Sequence, residues 1–167
     1  INTINTNIIK YTEENPESTG MGTTIVLALI TKDFLIFGNI GDSSGYVFKN
    51  GKLIKITKDH TLVNLLVEAG EIKPEEALNH PKKNVLMKAL GTETKQTLDI
   101  FDLDTNVDAI MLCSDGLTNM LTTSQIEKVL NEEEMNIEDK LIKIIKKCNA
   151  RGGNDNISIA YLLKEGE

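Results

Sequence analysis

The dipeptide Asn50-Gly51 limits the folds open to this chain more than any other feature. It stands between Gly45-Tyr46-Val47-Phe48 and Leu53-Ile54-Lys55-Ile56, two short runs rich in strand-forming residues. A two-residue connection needs positive φ at both central positions, which Asn and Gly tolerate, and it twists in the sense that antiparallel strands require. Parallel strands would need a crossover of about a dozen residues or more. A second pair of runs precedes it, Thr23 to Ile30 and Phe34 to Ile40, joined by Thr31-Lys32-Asp33. The spacing predicts an antiparallel meander rather than βαβ units.

Helices are expected around this sheet framework. Ile1, Ile4, Ile8 and Tyr11 recur at helical spacing, with no capping residue ahead of them. Asp59 or Thr61 is expected to cap a helix through Leu62, Leu65, Leu66 and Ala69, stopped by Gly70. Pro74 opens a short helix that Pro81 ends. Strands are predicted at Leu98 to Leu103 and Ala109 to Cys113, then helices at Thr123 to Asn131 and Ile137 to Asn149. A last strand is predicted from Asn156 to Leu162.

Charge and composition narrow the function. The 167-residue chain carries a net charge of -7 and is 40% hydrophobic, which suits one folded domain with its own core. A sequence pI near 4.9 argues against nucleic acid or an anionic membrane as the main partner. The lysines at Lys143, Lys146 and Lys147 are read as the solvated side of a helix. No apolar run approaches the roughly 18 residues of a membrane span. The two cysteines, Cys113 and Cys148, make no disulfide framework, so a reducing, cytoplasmic compartment is expected.

Chemistry is sought first in Gly41-Asp42-Ser43-Ser44-Gly45, where a serine lies on a tight turn. A catalytic triad needs a histidine base. Both histidines, His60 and His80, follow the serine, and a strand-like segment rather than a helix follows the turn. A nucleophilic serine is therefore disfavoured. Asp102-Leu103-Asp104 starts like a dehalogenase-type phosphatase loop, but Asn106 stands where Thr or Val is needed. More coherent are three acids beside glycines and at the mouths of apolar strands: Asp42, Asp115 in Ser114-Asp115-Gly116, and Asp155 in Gly152-Gly153-Asn154-Asp155-Asn156. Strand-end carboxylates of this kind suit Mg²⁺ or Mn²⁺, hard ions that take oxygen ligands and retain waters.

These segments, with Gly20 to Thr24, Thr57 to Ile72 and Glu75 to Gly91, closely resemble the metal-dependent, type-2C (PPM) protein serine/threonine phosphatases of bacteria. The resemblance covers essentially the whole chain. It implies an α+β fold, an αββα sandwich of two antiparallel sheets flanked by helices, here without its N-terminal strands and first helix. On this reading residues 1–167 are the C-terminal portion of one catalytic domain, with a flap at about residues 71–84.

The resemblance further implies that Asp115 and Asp155 are catalytic metal ligands and that Asp42 holds an additional, weaker ion. Asn156, Gly116 and Ser114 are the expected supporting and substrate-facing residues. Two or three Mn²⁺ or Mg²⁺ ions would serve the intact domain. The substrates implied are phosphoserine and phosphothreonine in proteins, phosphorylated by a bacterial serine/threonine kinase. The family's bridging Asp, its phosphate-binding Arg and a candidate acid His belong to segments expected ahead of Ile1. Ser44, Lys83 and Lys88 stand where relatives often carry Arg. The alternative expectation is a non-catalytic, truncated module that binds phosphoproteins or other partners without turnover.

Overall fold

The fold is seen in a computed structural model that describes residues 1–77 and 79–164. In chain order the elements are α1 (Asn2–Glu14), β1 (Ile25–Ile30), β2 (Leu35–Ile40), β3 (Ser44–Lys49), β4 (Lys52–Lys55), α2 (Leu62–Glu68) and α3 (Pro74–Ala77). They continue with β5 (Asp99–Leu103), β6 (Ala109–Cys113), α4 (Asp115–Thr118), α5 (Thr123–Leu130), α6 (Ile137–Ala150) and β7 (Ile159–Leu163). The strands form two antiparallel sheets of an α+β fold, ordered β1-β2-β5 and β4-β3-β6-β7.

The expected hairpins are both present. Asn50 and Gly51 adopt φ of 50° and 74°, and Lys49 pairs with Lys52 across the turn. At the other hairpin the Thr31 amide donates to Phe34 O at 2.9 Å, and Thr31 Oγ1 accepts from the amides of Asp33 and Phe34. The single meander, however, is divided, because β1-β2 enters one sheet and β3-β4 the other.

By its internal packing the chain forms two compact units. The first comprises Ile1–Ile25, Gly38–Asp42 and Lys58–Ile100, the second Val26–Phe37, Ser43–Thr57 and Phe101–Glu167.

The second unit explains why the meander divides. Along β3 and β6 successive residues alternate between two apolar faces, so both faces need cover. Val47 and Ile110 pack with Leu35, Phe37, Ile30 and Phe101, which come from the strands of the other sheet. Tyr46, Met111 and Cys113 face the opposite way, onto Leu117, Ile126, Val129, Ile144 and Cys148 of the helices. Each fully buried large side chain contributes roughly 1.5–3 kcal/mol. α5 begins with a capping box between Thr122 and Gln125, and α6 begins at Asn136, whose Oδ1 accepts from the Asp139 amide. The expected solvated lysine face is present, with Lys146 and Lys147 exposed and Lys143 paired to Glu132 at 2.6 Å.

The first unit departs from the sequence expectation in α1. The helix forms without a side-chain cap, but its buried residue is Asn5, 1% exposed, while Ile4 and Tyr11 are 45% and 50% exposed. Asn5 Nδ2 donates to Glu93 O and its Oδ1 accepts from the Gly91 amide, both at 2.8 Å. A polar side chain that satisfies two backbone groups can occupy a buried position that the apolar stripe pattern assigns to isoleucine.

α2 is capped by Thr61, whose Oγ1 accepts from the Asn64 amide at 3.3 Å. Of the expected flap, Pro74–Ala77 is helical, and Leu78 lies outside the described residues, as do residues 165–167 of the expected domain.

Candidate metal centre

Asp115 opens α4 directly after β6, an interior strand whose register with β3 and β7 holds its C-terminal end in place. The segment ahead of β7 returns beside it. The Ser114 amide donates to Ser158 O at 3.1 Å, the Ser158 amide donates to Ser114 Oγ at 3.0 Å, and Ser114 Oγ donates to Asn156 O at 3.1 Å. Gly116 completes the approach: a Cβ there would collide with Asn156 O and lie 3.0 Å from its carbonyl carbon. These contacts delay the last strand, which starts at Ile159 rather than at the expected Asn156. Asp155 therefore lies in the returning segment and not at the strand's first residue.

The result is a carboxylate pair. Burial raises the pKa of Asp115 above its ordinary 3.8, and the negative charge of nearby Asp155 raises it further. Opposing them are hydrogen bonds from the Gly116 amide, from Asn119 Nδ2 to Asp115 Oδ2 at 3.1 Å, and from the backbone of Asp115 itself. Asp155 is exposed, and its Oδ1 accepts from the Asn156 amide at 2.7 Å. Two repelling carboxylates, with a hydroxyl and backbone oxygens close by, are the donor chemistry that a hard divalent cation relieves. Among the described residues no group of three or more His, Cys, Asp or Glu side chains is gathered as a ligand set. The pair thus offers part of a coordination shell.

Asp42 belongs to the other unit, on the turn after β2. Gly41 before it has φ of 102°, and a Cβ there would run into the Thr24 side chain. The neighbouring Ser44 begins β3, is buried, and pairs with Cys113. A strand rather than a helix follows the turn, so the nucleophile-elbow geometry is absent there.

A family profile described as Protein phosphatase 2C matches residues 2–157. The chain belongs to the protein phosphatase 2C family. Among phosphatase 2C relatives, the serine/threonine phosphatase stp of Listeria welshimeri serovar 6b is 41% identical over 160 residues, which is 95% of this chain and 63% of that protein. The crystal structure of the serine/threonine phosphatase Stp1 from Staphylococcus aureus superposes with a TM-score of 0.93 at 36% identity, covering 99% of this chain and 65% of that one. The catalytic domain of the serine/threonine protein phosphatase PstP in complex with 2 manganese ions matches at a TM-score of 0.76 and 34% identity, over 93% of this chain and 64% of that chain. The chain thus spans a little under two thirds of these phosphatase 2C relatives.

Sequence reasoning passed over two sets of residues. Asn119 holds Asp115 from one helical turn along, and its i+4 spacing was the available signal. Asp99, which bonds His60, is 39 positions away from it and left no local signal.

Proposed function

We propose that the chain serves a metal-dependent protein serine/threonine phosphatase that hydrolyses phosphoserine and phosphothreonine in proteins. The observation that carries this reading is the Asp115–Asp155 pair, held together by the Gly116–Asn156 backbone approach, with burial and mutual repulsion outweighing the hydrogen bonds that Asp115 accepts. Mn²⁺ or Mg²⁺ bound there would supply a water-derived nucleophile near neutral pH and would screen the charge of phosphoryl oxygens.

Asp115 and Asp155 are the proposed catalytic ligands, and Asp42 the ligand of an additional ion. Asn119 fixes the rotamer of Asp115 through Oδ2. Asn156 orients Asp155 through its amide, and the Ser114 hydroxyl ties the two segments together. No serine or cysteine nucleophile is needed, so Ser43 of the turn, which is half-buried, and the buried Cys113 and Cys148 are given no chemical part. The proposed substrates are phosphoproteins made by a serine/threonine kinase, in a reducing, cytoplasmic compartment. Among the described residues no helix is long and apolar enough to cross a membrane.

The test is release of phosphate from a phosphothreonine peptide by the full-length gene product in Mn²⁺, with EDTA and Asp115→Asn as controls. Loss of activity in both controls is expected, and full activity in EDTA overturns the reading. A second reading, phosphoprotein binding without turnover, draws on the lack of a three-carboxylate set among the described residues. Tight phosphopeptide binding with no phosphate release in Mn²⁺ would select it.

A further inference from the structure

His60 grips Gly41 twice. Its Nδ1 accepts from the Gly41 amide at 2.9 Å, and its own amide donates to Gly41 O at 3.0 Å. Asn39 Nδ2 adds a third bond, to the same Gly41 oxygen, at 3.2 Å. On its far side the imidazole meets Asp99 Oδ2 at 3.0 Å, and Lys88 Nζ donates to Asp99 Oδ1 at 2.9 Å. Because Nδ1 is an acceptor, the ring proton sits on Nε2 and is donated to Asp99, so the network assigns the tautomer. The backbone of His60 is also tied down, since the Met87 amide donates to His60 O at 2.8 Å.

Gly41 has a conformation that L side chains rarely adopt, and Thr24 leaves no room for a Cβ. The turn therefore needs glycine, whose freedom would by itself leave the next residue poorly aimed. A clamp on both the N–H and the C=O of Gly41 removes that freedom.

We propose that His60, backed by Asp99 and Lys88, is a positioning residue that sets the direction of the Asp42 carboxylate toward its divalent ion. The proposal rests on the reading of Asp42 as a metal ligand. It assigns work to His60, Lys88 and Asp99, which the ligand set itself does not include. The essential element is an acceptor at the place of Nδ1, with the link to Asp99 holding the ring in plane.

The experiment is NMR on the ¹⁵N-labelled chain, reading Gly41 amide exchange without metal and the paramagnetic broadening of the Asp42 amide during Mn²⁺ titration. In the wild type, an N–N coupling across the Gly41–His60 Nδ1 hydrogen bond is expected. His60→Asn places an oxygen near the Nδ1 position and should keep Gly41 protected within about threefold. His60→Gln, which mimics Nε2, should lose about tenfold in protection, as should His60→Ala. Mn²⁺ broadening at Asp42 should move to higher concentration in His60→Gln and His60→Ala but not in His60→Asn. Asp99→Ala, which touches neither Gly41 nor Asp42 directly, should give an intermediate loss and serves if His60 variants fail to fold.

Equal protection in His60→Gln and wild type, or a His60→Asn variant no better than His60→Ala, overturns the clamp. Broadening at the Asp42 amide that survives Asp42→Asn removes the ligand, and with it the purpose of the clamp. Dependence on Asp42 without dependence on His60 removes the clamp alone.

Discussion

The carbonyl of Asn156 lies against Gly116 so closely that no side-chain carbon fits between them. That one approach joins the β6–α4 corner to the segment ahead of β7, and so brings Asp155 to Asp115.

Gly116→Ala tests it directly. Gly116 lies within α4, where alanine should by propensity be favoured by about 1 kcal/mol. The overlap with Asn156 should reverse the sign and cost about 1–3 kcal/mol net. At roughly 2–4 °C per kcal/mol for a chain of this size, thermal unfolding will report it. A stabilised variant would show that the two segments separate freely.

Asp115→Asn should stabilise the metal-free chain while weakening divalent-ion binding. Burial and the charge of Asp155 raise the pKa of Asp115 above 3.8, so ionising it works against folding. The native state then holds more protons than the unfolded chain, and stability falls as pH rises from about 3.8 through the raised value. For a solvent-screened contact the gain is about 0.5 kcal/mol. Calorimetric unfolding in EDTA, wild type against variant, at pH values from below 3.8 upward, checks both sign and window.

Asp99 behaves in the opposite sense. Burial acts to raise its pKa, but the hydrogen bonds from Lys88 and His60, with the positive charge of Lys88, outweigh it and leave the pKa below 3.8. Its contribution is therefore complete above that value and is lost as pH falls through the lowered one. Asp99→Asn should cost about 1 kcal/mol at neutral pH, discounted for partial exposure, and flatten the acid limb of the stability profile. Urea unfolding at pH 7 and pH 3 separates the two terms.

Asn5→Leu should destabilise although it extends an apolar stripe. The substitution leaves the Gly91 amide and Glu93 carbonyl without their partner, at about 2–4 kcal/mol. Ile4→Ala, on the exposed side of the same helix, should change stability by less than about 0.5 kcal/mol. Equal effects in chemical denaturation would mean the stripe, not Asn5, anchors α1.

The amino-acid sequence by itself determined what depends on a few neighbouring residues. Asn50-Gly51 dictated one hairpin because its φ requirement is local, and the Thr61 cap and the boundaries of β5, β6, α5 and α6 followed likewise from short-range chemistry. Asp42 and Asp115 could be singled out because each stands beside glycine after an apolar run, and Asp155 because it lies two residues after Gly153 and just ahead of the last apolar run.

Only the tertiary structure decided which of these features meet. It divided the hairpins between two sheets, since β3 and β6 are apolar on both faces and each face needed a different cover. It buried Asn5 rather than Ile4, because backbone groups 86 or more positions away required a partner. It set Asp155 beside Asp115 through a backbone contact at Gly116, and Asp99 beside His60 across 39 positions. Local propensity carries no record of such pairings, because their energy exists only once the chain has closed on itself.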